Sequence, residues 1–352
     1  MKRVKPVKRI EAGSYYSYLT EGCKLCRKGA KLVLFVTGEC PNVCFYCPVS
    51  EERQQKDVIF ANERPVRDIE DVVEEALLMD AEGAAITGGE PLIKLNRIEE
   101  LISLFSKAGM HTHLYTSIPA GQRVIQRLAK AGLDELRFHP PLLENIQMYE
   151  KPLKIAIKAG IEAGFEIPAL KFDKRLAEIA NRNDAFLNVN ELEFSASNFD
   201  KMQQYGFEIG DFYEAKGSKE IAEKYAEMVG KFHFCSVLFK DKAQMRRRLI
   251  RMAFNHPDFY KVTNEGTVIC GVAEGDERAL RKVLNLLDYM GVEYVKMDGR
   301  VEFSADIAER LMDEVRKIRQ DRQDLKDVNV EISIVERYPT YTRMVVEKTV
   351  LE

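Results

Sequence analysis

Apolar, β-rich runs alternate with amphipathic helical stretches from about residue 32 to residue 200, and this alternation limits the fold more than any other feature of the chain. Candidate strands lie at 32–36, 84–87, 111–116, 135–138, 165–170 and 192–194. Between them, Ile69, Val72, Val73, Ala76 and Leu77 fall on one helical face, as do Ile98, Leu101, Ile102 and Phe105. Gly109, Gly132 and Gly164 stand where a helix should stop before the next strand. Repeated strand and helix units predict an α/β fold with a parallel sheet covered by helices. Six units predict a partial (β/α)6 TIM-type barrel, with its functional residues at the C-terminal ends of the strands.

The first of those ends carries Cys40, Cys44 and Cys47, spaced C-x3-C-x2-C. Thiolates suit iron–sulfur clusters by their softness. Three of them on one short loop can hold three irons of a cubane and leave the fourth without a protein ligand. Pro41 and Asn42 favour a turn inside the loop, and Phe45 and Tyr46 supply aromatic cover. The second strand run, 84–87, leads directly into Gly88, Gly89, Glu90 and Pro91.

These two motifs, in this order, resemble the radical S-adenosylmethionine (SAM) superfamily. Cys40, Cys44 and Cys47 match its cluster loop, and Tyr46 matches the aromatic residue before the third cysteine. Gly88, Gly89, Glu90 and Pro91 match the segment that binds the amino group of SAM. The resemblance covers about residues 30–200 and is nearest to archaeal members related to pyruvate formate-lyase activating enzyme. It implies an oxidoreductase-type radical enzyme with a 4Fe–4S cluster and SAM as cofactors. SAM would be cleaved reductively to a 5′-deoxyadenosyl radical that abstracts hydrogen from RNA, a peptide or target protein, or a small metabolite. A ferredoxin or flavodoxin would supply the electron.

Strand ends supply the other site candidates. Thr116 and Ser117 end the third strand, and Arg137 and His139 alternate onto one face of the fourth, where contact with SAM or substrate is expected. Lys171 follows the fifth. Glu191 and Glu193 bracket the expected sixth, with Asn190 beside them and Glu166 a further candidate. Each has a plainer reading: Thr116 and Ser117 as turn residues before Pro119, and the glutamates as charges on an edge strand. His111 and His113 fall at a strand start, away from the catalytic end, where structural roles are expected.

Cys23 and Cys26 form a second thiol pair, half of a four-ligand site. His233 and Cys235, alternating on an extended segment, are the first candidates for the other half. A zinc ion on Cys23, Cys26, His233 and Cys235, an auxiliary iron–sulfur cluster that includes Cys270, and a redox dithiol are the three readings. Cys270 by itself reads as a small buried hydrophobe. Basic residues cluster in the arm (Lys2, Arg3, Lys5, Lys8, Arg9) and in Arg246, Arg247, Arg248 and Arg251. They carry the competing view of the chain, a non-catalytic, metal-stapled scaffold that binds RNA.

The 352 residues bury one large core and a smaller second one. Expected divisions are a basic arm with the thiol knuckle at 1–31, the barrel at 32–200, a helical segment at 201–257 and a small α+β domain at 258–352. A net charge of −3 argues against a whole-protein field for nucleic acid. Apolar runs are too short to span a bilayer. Seven cysteines in these clusters point to metal ligation in a reducing compartment, hence the cytoplasm.

Overall fold

The computed structural model describes residues 6–321 and 330–351. Lys2, Arg3 and Lys5 of the basic arm lie outside the described residues. The chain forms two compact units, one ending at Met245 and the other beginning at Arg246.

In the first unit, helix α1 (Glu21–Lys28) is capped by Thr20, whose side chain accepts the Cys23 N–H, and stops at Gly29 in the left-handed conformation. Seven parallel strands follow: β1 (Lys31–Phe35), β2 (Gly83–Thr87), β3 (His111–Thr116), β4 (Glu135–Phe138), β5 (Glu162–Pro168), β6 (Phe186–Asn190) and β7 (Phe232–Cys235). The connecting helices are α2 (Ile69–Leu78), α3 (Leu95–Lys107), α4 (Gln122–Ala131), α5 (Glu150–Lys158), α6 (Lys174–Arg182) and α7 (Ser218–Ala226). Spatial order equals chain order from β1 to β7. The sheet is open, and short antiparallel strands at 8–9, 15–16, 60–61 and 64–65 border its two edges.

Three expectations need correction, the first being Gly164, which lies inside β5 and not at a helix end. The sixth strand is Phe186–Asn190, not 192–194, so Glu191 and Glu193 follow it on the loop. A seventh strand, Phe232–Cys235, lies inside the helical segment 201–257, where the extended stretch of His233 and Cys235 is expected, and it joins the sheet by pairing in parallel with β6. In both strands polar residues on one face interrupt the apolar signal. Leu187, Val189, Phe232 and Phe234 are buried with Leu114, Leu136, Phe138, Phe165 and Ile167, and strand alternation puts them on one face. On the opposite face the register sets His113 beside Glu135, Tyr115 beside Arg137, and Asn188 beside both Glu166 and His233.

The second unit starts with α8 (Arg246–Phe254) and continues as β8 (Val268–Gly275), α9 (Glu277–Tyr289), β9 (Tyr294–Met297), β10 (Arg300–Phe303), α10 (Ala308–Asp321), β11 (Val330–Arg337) and β12 (Val345–Val350). Its antiparallel sheet has the order β9-β10-β8-β11-β12, with residues 261–262 pairing beside β8. Leu280, Val283 and Leu287 of α9 and Leu311 of α10 pack with Val301, Phe303 and Ile332. Cys270 is fully buried in a second cluster with Tyr260, Val272 and Val335, as a small hydrophobe would be. Beside it, the buried Glu302 carboxylate accepts from Tyr260 Oη and from Arg337 and Arg343. In α8, Arg246 donates to the Asn264 carbonyl, and Arg247, Arg248 and Arg251 all have partners.

Candidate active site

The cysteine loop is seated by the glycine pair. Gly89 N–H donates to the Thr37 carbonyl at 2.7 Å and Glu90 N–H to the Glu39 carbonyl at 2.8 Å. A Cβ on Gly88 would meet the Thr37 oxygen at 2.4 Å, and one on Gly89 would meet the Glu39 oxygen at 2.3 Å. Any side chain at either position would therefore lift the backbone that leads into Cys40. The motif is needed for close approach of two backbones.

Cys40, Cys44 and Cys47 then border a cavity of about 340 Å³, whose opposite walls include Gly88, Gly89, Pro91, Thr116, Ser117 and His139. The ends of β5 to β7 add Glu166, Asn190, Glu191, Glu193 and Lys240. All three thiols are free and partly exposed. Burial pushes the Cys40 and Cys44 thiols above their ordinary values, so without a metal they stay protonated at neutral pH. Among the described residues the three sulfurs are not a trio within 4.8 Å of one another. Phe45 stacks on Tyr205 with ring centroids 4.0 Å apart, and Tyr46 turns inward to His139.

Several expected ligands have other work. Both oxygens of Glu90 are engaged, accepting from Leu92 N–H (3.0 Å), Thr116 Oγ1 (2.8 Å), and Ser117 N–H (2.7 Å) and Oγ (2.5 Å). Its fully buried carboxylate braces the glycine edge against the end of β3 and lies outside the cavity lining. Arg137, expected at the mouth, is also buried and absent from the lining. It pairs with Glu135 (2.6 Å) and Glu166 (2.5 Å) and donates to Tyr115 Oη, Thr20 Oγ1 and Cys23 Sγ. Glu191 keeps its place on the wall, where it accepts the Val237 N–H, and burial pushes its carboxyl up. Lys240 lies on the wall 3.0 Å from Glu193 and has no signal along the chain, because it reaches the cavity only through the pairing of β7 with β6.

Cys23 and Cys235 are buried and Cys26 is half-buried, all three thiols are free, and His233 is buried with no partner on Nδ1. Among the described residues the trio of candidate ligands within 4.8 Å of one another lies elsewhere, at His111, His113 and Glu135. Arg137 and Asn188 donate to Cys23 Sγ, and Gln244 donates to Cys235 Sγ. Burial pushes Cys23, Cys26 and Cys235 up, to about 12 for Cys235, so these thiols are held neutral.

Residues 34–141 match the family model described as the radical SAM superfamily, and residues 266–351 match one described as a domain of unknown function (DUF8061). The chain is 35% identical over 354 residues to a Methanocaldococcus jannaschii protein named "Putative glycyl-radical enzyme activating enzyme", covering 95% of this chain and 93% of that one. Similar solved structures include Streptococcus suis SuiB bound to S-adenosylmethionine, with 14% identity, a TM-score of 0.41 and coverage of 61% of this chain and 54% of SuiB. Methylornithine synthase gives 11% identity and a TM-score of 0.38 over 50% of this chain and 59% of the synthase. The chain thus spans just over half the length of each of these two. It belongs to the radical SAM superfamily and is an enzyme of that type, and the family implies SAM and a 4Fe–4S cluster. Among the described residues no helix is long and apolar enough to cross a membrane.

Proposed function

We propose that this chain is an activating enzyme: it cleaves SAM reductively at a cluster held by Cys40, Cys44 and Cys47, and the resulting 5′-deoxyadenosyl radical takes a hydrogen atom from a partner protein. The observation that carries the reading is the convergence of three free thiols, the Gly88 and Gly89 edge and the polar ends of β3 to β7 on one cavity. The strand order of the open sheet supports a partial barrel whose mouth is this cavity. When bound, the cluster supplies the electron that breaks the sulfonium bond.

The chain's own residues bind, orient and shield. Gly88 and Gly89 offer backbone to the amino acid end of SAM, and Glu90 holds that edge in place from behind. Thr116, Ser117 and His139 flank the nucleotide, while Glu166, Asn190 and Glu191 present acceptors and an amide to adenosine or substrate. Pro91, Phe45 and Tyr46 keep water from the reacting centre. A ferredoxin or flavodoxin is the electron donor that this chemistry calls for. The RNA-binding scaffold is not favoured, because family membership supports an enzyme.

The test is anaerobic reconstitution with iron and sulfide, reduction, and incubation with SAM. Formation of 5′-deoxyadenosine by the full-length protein, abolished in Cys44→Ala, is expected. A reconstituted, reduced wild-type chain that leaves SAM intact would refute the reading.

A further inference from the structure

His111, His113 and Glu135 each place a donor atom within 4.8 Å of the other two. Strand geometry builds this trio. His111 and His113 alternate onto one face of β3, and the register between β3 and β4 sets His113 opposite Glu135. All three belong to strand starts. Thr116, on the cavity wall, ends the strand that His111 begins, roughly 16 Å away at about 3.3 Å per residue.

One observation indicates that something other than protein belongs there. His113 is fully buried, and neither of its ring nitrogens has a hydrogen-bond partner. A buried polar group left bare costs about 1–3 kcal/mol. Gly22 of α1 closes the trio from the helix side. A Cβ at that position would meet His113 Nδ1 at 2.4 Å, Arg137 Nη2 at 2.6 Å and Glu135 Oε2 at 2.7 Å. Glycine lets the helix backbone come this close, and its N–H donates to the same Glu135 oxygen at 3.1 Å.

We infer that His111, His113 and Glu135 form a second metal site, for one divalent transition-metal ion of the zinc class, separate from the cysteine loop. Two imidazoles and a carboxylate are an established donor set for such ions, with a fourth position left for water. The surroundings select against calcium and magnesium. Arg137 Nε donates to Glu135 Oε1 at 2.6 Å, and Lys31 Nζ lies 2.8 Å from His111 Nδ1. These two cations offset Glu135 and Glu166, so the space offers little net negative charge. Attraction rests instead on imidazole nitrogen, from His113, whose ring has no other partner, and from His111 Nε2 once Lys31 no longer donates to Nδ1; such donors favour zinc, cobalt or nickel over hard, oxygen-seeking ions. The ion ties the starts of β3 and β4 together, and Glu135 carries the link on to α1 through the Gly22 N–H.

The probe is cobalt(II), dialysed against the full-length protein before any cluster is built and quantified by elemental analysis. One bound cobalt per chain is expected. It should persist in Cys44→Ala and in Cys26→Ser and bind at least ~100-fold more weakly in His113→Gln, the upper end of what even supporting contacts to a metal ligand cost. Wild type that retains no cobalt overturns the proposal, as does cobalt that survives His113→Gln but is lost in Cys26→Ser. Should His113→Gln fail to fold, X-ray absorption on the cobalt-bound wild type decides the matter: a nitrogen and oxygen shell supports the site, and sulfur in that shell overturns it.

Discussion

The Tyr46 hydroxyl lies 3.1 Å from Nε2 of His139, and Nδ1 of the same ring lies 3.0 Å from the Glu166 carbonyl. A carbonyl only accepts, so Nδ1 carries the ring proton and Nε2 accepts from the tyrosine. Burial pushes His139 below its ordinary value, which keeps the ring neutral at physiological pH. The residue before the third cysteine is thereby tied to the end of β4. Tyr46 Oη also accepts the Leu142 N–H, and Asn198 donates to the Tyr46 carbonyl.

Removing that hydroxyl should therefore unfasten the cysteine loop without touching a thiol. Tyr46→Phe leaves the half-buried His139 Nε2 and Leu142 N–H without this partner. We expect a loss of about 1–3 kcal/mol, read as a lower urea midpoint at unchanged slope. An unchanged midpoint would mean that the bond contributes nothing.

Glu90→Gln should be damaging although the Glu90 carboxylate lies behind the cavity. Its oxygens accept from four donors, and an amide must turn an NH2 toward at least one of them. A loss of about 1–3 kcal/mol is expected, together with weaker SAM cleavage, because the glycine edge and the end of β3 are joined through this group. Ser117→Ala removes one of the four donors and should cost less. Equal stability of Glu90→Gln and wild type would contradict this arrangement.

The sequence revealed the cysteine loop, the glycine edge and five of the seven strands because each of those signals is local. It failed where a residue's role depends on what lies across the sheet. Asn188 and Asn190 look like loop residues along the chain, yet they donate to Glu166 and lie on β6, so that strand was placed too late. Arg137 and His139 share a face, but two residues of strand separate a guanidinium held by two carboxylates from an imidazole on the cavity wall. His111 and His113 lie away from the cavity lining, as their place at a strand start suggests. Glu135, which joins them, is distant in the chain and becomes visible only through strand register.

Arg137 should be among the costliest side chains to remove. Arg137→Met leaves Glu135 and Glu166 buried with their shared cation gone, and breaking such a pair costs about 3–5 kcal/mol. The double change Arg137→Met with Glu166→Gln should recover part of that loss, since it no longer strands the second carboxylate. Urea midpoints of the single and double variants measure the difference. A single variant as stable as wild type would show that the guanidinium is not needed to balance these charges.

Acid should weaken the first unit in two stages that the mutants can separate. Burial pushes His233 down to about 4, from 6.5, and its Nδ1 has no partner. The unfolded chain therefore binds a proton that the folded chain refuses between pH 6.5 and about 4. The stability that follows is complete above that window and is lost as pH falls through it, about 3 kcal/mol at most. Glu166 behaves differently: burial raises it, but Arg137, Asn190 and Asn188 outweigh burial and hold it below the usual carboxylate range. Its contribution is present above the ordinary carboxylate value and is lost only as the pH falls through its lowered one. Urea midpoints measured across this range should slope with pH in wild type and slope less between pH 6.5 and about 4 in His233→Phe, the remainder coming from His111, His113 and His139, which burial also lowers. The same slope in both proteins would show that His233 is not the group being protonated.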